Sequence, residues 1–215
     1  MKKLTKKQTI IPAAIILIIG FAALFFGCSS NNKTTAFQIA FCSLNINERA
    51  VTEYSALLQN EIPELTIDGT APVFTSIIMG EVVNDFESGV FNDPMMGIAG
   101  MMRMAAIAST SDIDVMIADM DNAARYARDG MYLPLSSVFT SNELSGLESR
   151  LLSFDIMNAD GIAAIPTGEK TPVCGINITG NERMRSIFGN QEIGVFIISN
   201  TKRPELAKKV VMSLL

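Results

Sequence analysis

The feature that most constrains this fold is a short unbroken apolar run, Val115-Met116-Ile117-Ala118, closed by Asp119. No polar residue alternates within it, which is the pattern of a strand buried on both faces of a parallel sheet. A polar turn follows, where Asp121 or Asn122 is placed to cap the next helix by accepting a backbone N–H. Ala123, Ala124, Tyr126 and Ala127 carry that helix, and Gly130 stops it. Strand, polar turn and helix in succession make an α/β unit. In open α/β sheets ligands bind at the carboxyl ends of the strands. Asp119 and Asp121 therefore stand at a position of interest, although acidic residues at a helix start ordinarily serve as caps and dipole partners.

The chain before and after this unit is read by the same signals. Residues 37–43 favour a strand, with aromatic and β-branched side chains at 37, 39 and 41. Asn45 with Glu48 three residues later has a capping-box pattern, and Val51, Tyr54, Leu57, Leu58 and Ile62 share one helical face before Pro63. Leu65–Ile67 begins a second strand, broken at Asp68-Gly69, and residues 73–91 read as mixed. Asp93-Pro94 predicts a helix to about Ser109 with Met95, Met96, Met101, Met102 and Met104 along it. Its alanines suit core packing, although methionine also lines adaptable binding surfaces. Residues 135–139 and 141–152 are predicted helical. Residues 154–165 predict a hairpin around Asp160-Gly161, followed by a polar loop at 166–172. A strand at 173–178, a helix at 181–188, a strand at 192–199 and a last helix opened by Pro204 complete the reading. In the last helix Leu206, Val210, Val211 and Leu214 face inward.

The start of the chain has a different character. Lys2, Lys3, Lys6 and Lys7 precede an uncharged run from Ile10 to Gly27, the basic and apolar regions of an export signal. Two endings fit: an uncleaved anchor, since the run is just long enough to span a bilayer, or cleavage before Cys28. Leu24-Phe25-Phe26-Gly27-Cys28 resembles a bacterial lipoprotein box, in which a small residue precedes a cysteine that becomes lipidated. Gly27 and Cys28 match it; Phe25 and Phe26 depart from its usual aliphatic and small residues. The expected organisation is a signal or membrane-insertion segment at 1–27, a polar tether at 28–35 and one α/β domain at 36–215. Beyond the leader the chain carries 13 basic residues against 22 acidic. Such a balance does not suit nucleic acid. The absence of histidine excludes every Ser-His-Asp or Cys-His nucleophile and every His-ligated zinc site.

Several segments look like bacterial extracellular solute-binding proteins. The central stretch "DIDVMIAD…ARDGMYLPL" is similar to that family's strand, helix and "G-x-LLPL" segment. "DGIAAIP" at 160–166 is similar to its "DGKxYGIP" segment. "IGVFIISNTKRPELA" at 193–207 resembles its "GxxISxxSKNPELA" strand and helix, and "VCGINIT" at 173–179 is similar to a "YGIDLT" segment of related small lipoproteins. The resemblance implies a three-layer α/β sandwich with a mostly parallel sheet, one lobe of a periplasmic-binding-protein type II fold. A two-lobed family member has a far longer stretch between its "YGIP" and "ISxxSKNP" segments than the residues separating Pro166 from Ile193. The second lobe is therefore expected to be missing or reduced to a small loop.

The expected function is non-catalytic binding on the outer face of the cell membrane, solute-binding-like or accessory to a transport system. The alternative is a structural or protein-interaction lipoprotein with no solute ligand. Expected partners are the membrane through a lipid anchor on Cys28 and a small-molecule solute or transporter subunit, with a homodimer as another way to close a site. No cofactor and no metal are expected. Fold logic places a ligand site at Ser43, Asn45, Asp119, Asp121, Thr167 and Glu169. Ser199-Asn200-Thr201-Lys202 matches S-x-x-K, so a serine hydrolase using Ser199 and Lys202 is a second alternative, but its companion S-D-N and K-T-G motifs are absent. Gly168-Glu169-Lys170-Thr171 lacks the Gly-Lys pair of a phosphate loop, and Asp112, Asp114, Asp119 and Asp121 lack the spacing of a calcium loop. Cys42 and Cys174 fall in predicted buried strands and are expected to stay unpaired.

Overall fold

A computed structural model describes residues 36–79, 102, 113–158 and 165–215. The leader, the tether with Cys28, most of the predicted Met-rich helix and the Asp160-Gly161 turn lie outside the described residues. Met102, the exception in that helix, is helical and exposed. Among the described residues no helix is long and apolar enough to cross a membrane.

The described chain begins with β1 (Gln38–Ser43), which feeds α1 (Glu48–Glu61) and returns as β2 (Val73–Ile78), parallel to β1. Asn47, not Asn45, caps α1, its side chain accepting from the Ala50 N–H at 3.3 Å. The segment 65–67 is not a strand. It ends a 3-10 turn at Pro63–Leu65 and makes only an isolated bridge between Ile67 and Thr70. The central unit is β3 (Val115–Asp119), buried along its whole length as its composition requires, followed by α2 (Met120–Arg128).

The predicted helix at 141–152 is much shorter. Here α3 (Ser141–Leu144) is capped by Thr140, whose capping box with Glu143 is complete. Gly146, at φ +86°, ends the helical path in a conformation that other residues rarely adopt. The chain then reaches β4 (Leu151–Leu152). Next, β5 (Asp155–Asn158) and β6 (Ile165–Lys170) pair antiparallel as a separate two-stranded ribbon. The predicted hairpin is thus present, but the polar residues read as a loop form its second strand. In β6 all six residues are exposed, so no apolar alternation marks it. The chain closes with β7 (Gly175–Asn177), α4 (Glu182–Phe188), β8 (Ile193–Ile197) and α5 (Pro204–Ser213).

The main sheet has six strands in the order β2-β1-β3-β8-β7-β4. Strands β1, β2, β3 and β7 share one direction; β8 and β4 run against them. Helices lie on both faces. On one face α1, α4 and α5 pack Val51, Tyr54, Leu58, Met184, Ile187, Phe188, Val210 and Val211 onto Ile39, Phe41, Val115, Ile117 and Val195. On the other face α2 packs Ala123, Tyr126 and Ala127 with Ala40, Cys42, Met116 and Phe196. Tyr132 stacks on Phe196 there, with ring centroids 4.3 Å apart. Residues 165–192 go into the ribbon, into β7 and into α4.

Cys42 and Cys174 are free and buried. Cys42 lies on β1 and Cys174 precedes β7, with β3 and β8 between. At about 4.8 Å per strand, three strand spacings alone separate the two by roughly 14 Å, beyond disulfide reach.

Candidate functional site

The shared direction of β1, β2, β3 and β7 gathers their carboxyl ends at one edge of the sheet, and the antiparallel β8 begins there. This edge brings together four of the six predicted site residues. Ser43 ends β1 and is fully buried. Its Oγ donates to Oε1 of Gln191 at 2.6 Å. The amide nitrogen of Gln191 donates to the Phe188 carbonyl at 3.0 Å and to the Asn45 carbonyl at 3.4 Å. Gln191, just before β8, thus links the end of β1, the loop beyond it and the end of α4. It was missed in the sequence because its partners are distant along the chain.

Asp119 ends β3 and is itself the N-cap of α2, a role expected of Asp121 or Asn122. Its Oδ1 accepts from the Asn122 N–H at 2.9 Å, and the Asn122 amide donates to both carboxylate oxygens at 3.0 and 2.9 Å. Both residues are buried. β3 pairs with β8 through Asp119, and the helix begins at the next residue, Met120, earlier than a cap at Asp121 or Asn122 would place it. Asp121 is exposed in the first turn, where its charge favours the helix dipole.

Thr167 and Glu169 stand elsewhere. Both are exposed on β6, and the ribbon is held where Arg128, in the last turn of α2, donates to the Asp155 carbonyl at 3.0 Å. That end of α2 is opposite to Asp119, so the ribbon lies at the other edge of the sheet. The Thr167 hydroxyl donates to the Ile156 carbonyl at 3.0 Å and accepts from the Glu169 N–H at 3.2 Å. These two residues belong to a different surface from the other four.

The chemistry of the carboxyl edge is that of a closed polar seam. Asn122 engages both oxygens of Asp119, and Gln191 takes up the Ser43 hydroxyl. Behind the seam the Cys42 thiol is pushed up to about 12, first by burial and then by the neighbouring Asp119 charge. It is a neutral, inert thiol at physiological pH. Ser199 and Lys202 lie in the exposed turn between β8 and α5, and no hydrogen bond joins them among the described residues. No cluster suited to a metal ion occurs among the described residues. A groove of about 560 Å³ runs between the end of α1 and α5, lined by Ile62, Met212, Lys208 and Lys209 among others, and contains none of the six. Its lysines are already engaged, Lys208 with Glu143 at 2.7 Å and Lys209 with Glu64 at 2.8 Å.

No family model, curated protein or solved structure matches the chain.

Proposed function

We propose that this chain is a lipid-anchored, extracytoplasmic binding protein, non-catalytic, built as one lobe of a periplasmic-binding-protein type II fold. It acts as an accessory to a transport system and needs a second chain to complete a solute site. The observation that carries this reading is the closed seam at the carboxyl edge. Ser43, Asp119 and the Asn45 backbone, where an α/β lobe presents its ligand groups, are engaged by Gln191 and Asn122. A free polar solute would have to displace those bonds and would be covered on one side only. The helices on both faces and the four strands sharing one direction support the fold assignment. The Gly27-Cys28 pair after a lysine-led apolar run supports the anchor. The same seam favours a second reading, a protein-interaction lipoprotein with no solute ligand at all.

The anchor has a direct test. Cells expressing the full chain and fed radiolabelled fatty acid are expected to label it, and Cys28→Ala is expected to lose all label. A wild-type chain that takes up none would overturn the lipid anchor.

A further inference from the structure

A sheet edge offers unpaired N–H and C=O groups to other chains unless it is short, charged or carries proline. Most edges in this fold follow that rule. Strand β4 has two residues. The ribbon strand β6 carries Pro166, Glu169 and Lys170, and β5 begins at Asp155. The edge strand β2 does not. Its sequence, Val-Phe-Thr-Ser-Ile-Ile, has neither charge nor proline. Val73 is 41% exposed and Ile78 42% exposed, with Phe74 half-buried between them.

The bonding pattern of this edge is defined by its inner side. The Val73 N–H donates to the Phe37 carbonyl at 2.8 Å and the Met79 N–H to the Ser43 carbonyl at 3.0 Å. Strand alternation then turns the N–H and C=O groups of Phe74, Ser76 and Ile78 away from β1. Among the described residues these outward groups have no backbone partner.

We propose that β2 is a self-pairing edge, on which a second copy of this chain lays its own β2 antiparallel about a twofold axis through Ser76. In this register Ser76 faces Ser76 of the second copy, and each Phe74 faces an Ile78. Every outward N–H meets an outward C=O, giving about six hydrogen bonds in hydrogen-bonded pairs. The two Phe74–Ile78 contacts are aromatic against β-branched, a favourable cross-strand pair. The occupant is a second copy because the edge is its own complement. Its outward residues are centred on Ser76 with an apolar side chain on each flank, and it offers no charge to a foreign acidic or basic strand. The Ser76 hydroxyl donates to Glu48 at 2.9 Å, which places one carboxylate on each side of the axis and limits the affinity. A six-residue strand spans about 20 Å, too little for a standard interface, so the pairing is reversible and concentration-dependent. It does not rest on the lipid anchor or on a solute site.

Cysteine cross-linking of the full chain in expressing cells tests it. Paired Cα atoms at the axis lie about 5.5 Å apart, within disulfide reach. Oxidation of Ser76→Cys is expected to give a disulfide-linked species of twice the monomer mass. Wild type and Leu57→Cys, 48% exposed on α1, should not give it. Ser76→Pro removes only an outward N–H, which an edge strand tolerates, and should abolish the concentration-dependent mass increase in light scattering without moving the melt. Ile78→Lys should do the same by placing a charge on the edge. No dimer from a protease-resistant Ser76→Cys chain would overturn the proposal, as would equal cross-linking at position 57. So would a mass increase that survives both Ser76→Pro and Ile78→Lys. A Ser76→Cys thiol shielded from maleimide without dimer formation would assign the edge to a different protein and overturn the second copy.

Discussion

Replacing Asp114 by alanine is expected to cost about 3–5 kcal/mol of stability and to lower the melting temperature by on the order of 10 °C. Asp114 is 4% exposed at the start of β3. One carboxylate oxygen accepts from the Gln38 N–H at 3.0 Å and from Arg203 Nη1 at 3.1 Å; the other accepts from the Thr201 hydroxyl. The same Arg203 nitrogen donates to the Ala36 carbonyl at 3.2 Å. One side chain thereby joins the entry to β1, the start of β3 and the turn into α5. Removing it takes the carboxylate away from a half-buried guanidinium and the acceptor away from the part-buried Gln38 N–H. Asp114→Asn keeps one acceptor oxygen, which can serve the Gln38 N–H, and its amide nitrogen can donate to the Thr201 hydroxyl, but the charge is lost, so its loss should be intermediate. Urea unfolding of the three chains checks the order. An alanine variant within about 0.5 kcal/mol of wild type would show that this junction does not hold the strands together.

The second large effect is expected at alkaline pH. Burial raises the Cys42 thiol to about 12, with Asp119 adding to the rise, and raises Cys174 to about 11, each from an ordinary value of 9.0. Burial also pushes Tyr54, Tyr126 and Tyr132 up from 10.0. Above the unfolded values the folded chain keeps protons that the unfolded chain has released. The stability these groups supply is complete below pH 9 and is lost as pH rises towards the folded values. Each thiol that ionises only on unfolding removes about 1.4 kcal/mol per pH unit in that window. Urea midpoints measured from pH 7 to 10.5 should be level to about pH 9 and then fall. The fall should become shallower in Cys42→Ala/Cys174→Ala. A flat profile across the range would mean that the thiols ionise in the folded chain.

Much of this architecture was legible where a local pattern and its burial agree. The unbroken run at 115–118 is a central strand because both of its faces are covered. The helix expected at 181–188 forms over 182–188, and the Asn181 side chain caps it, accepting from Arg183 and Met184 N–H groups at 3.0 and 3.2 Å. The strand at 193–197 and the helix opened by Pro204 were equally plain. Boundaries failed where two neighbouring residues offer the same chemistry. Asn47 caps α1 in place of Asn45, and Asp119 caps α2 in place of Asp121 or Asn122, because several side chains able to cap lie within three residues of each helix start. The strand β6 was hidden by its full exposure, which removes the apolar alternation. Ser43 and Asp119 do stand at strand ends, the position that strand patterning alone can assign. Gln191 and Asp114 were missed because their partners come from distant segments: Ser43 for the one, Gln38, Thr201 and Arg203 for the other. No period or spacing carries that information.

We propose that this domain, with its carboxyl-edge polar groups engaged by one another, does not hold a free solute tightly without a second chain. Isothermal calorimetry of the full chain in detergent, shown to be monomeric by light scattering, tests it with sugars, amino acids and short peptides as titrants. The expected result is no saturable heat in the micromolar range, with any affinity at about the millimolar level or weaker. A micromolar or tighter dissociation constant for one of these solutes, with no change in mass on binding, would contradict it.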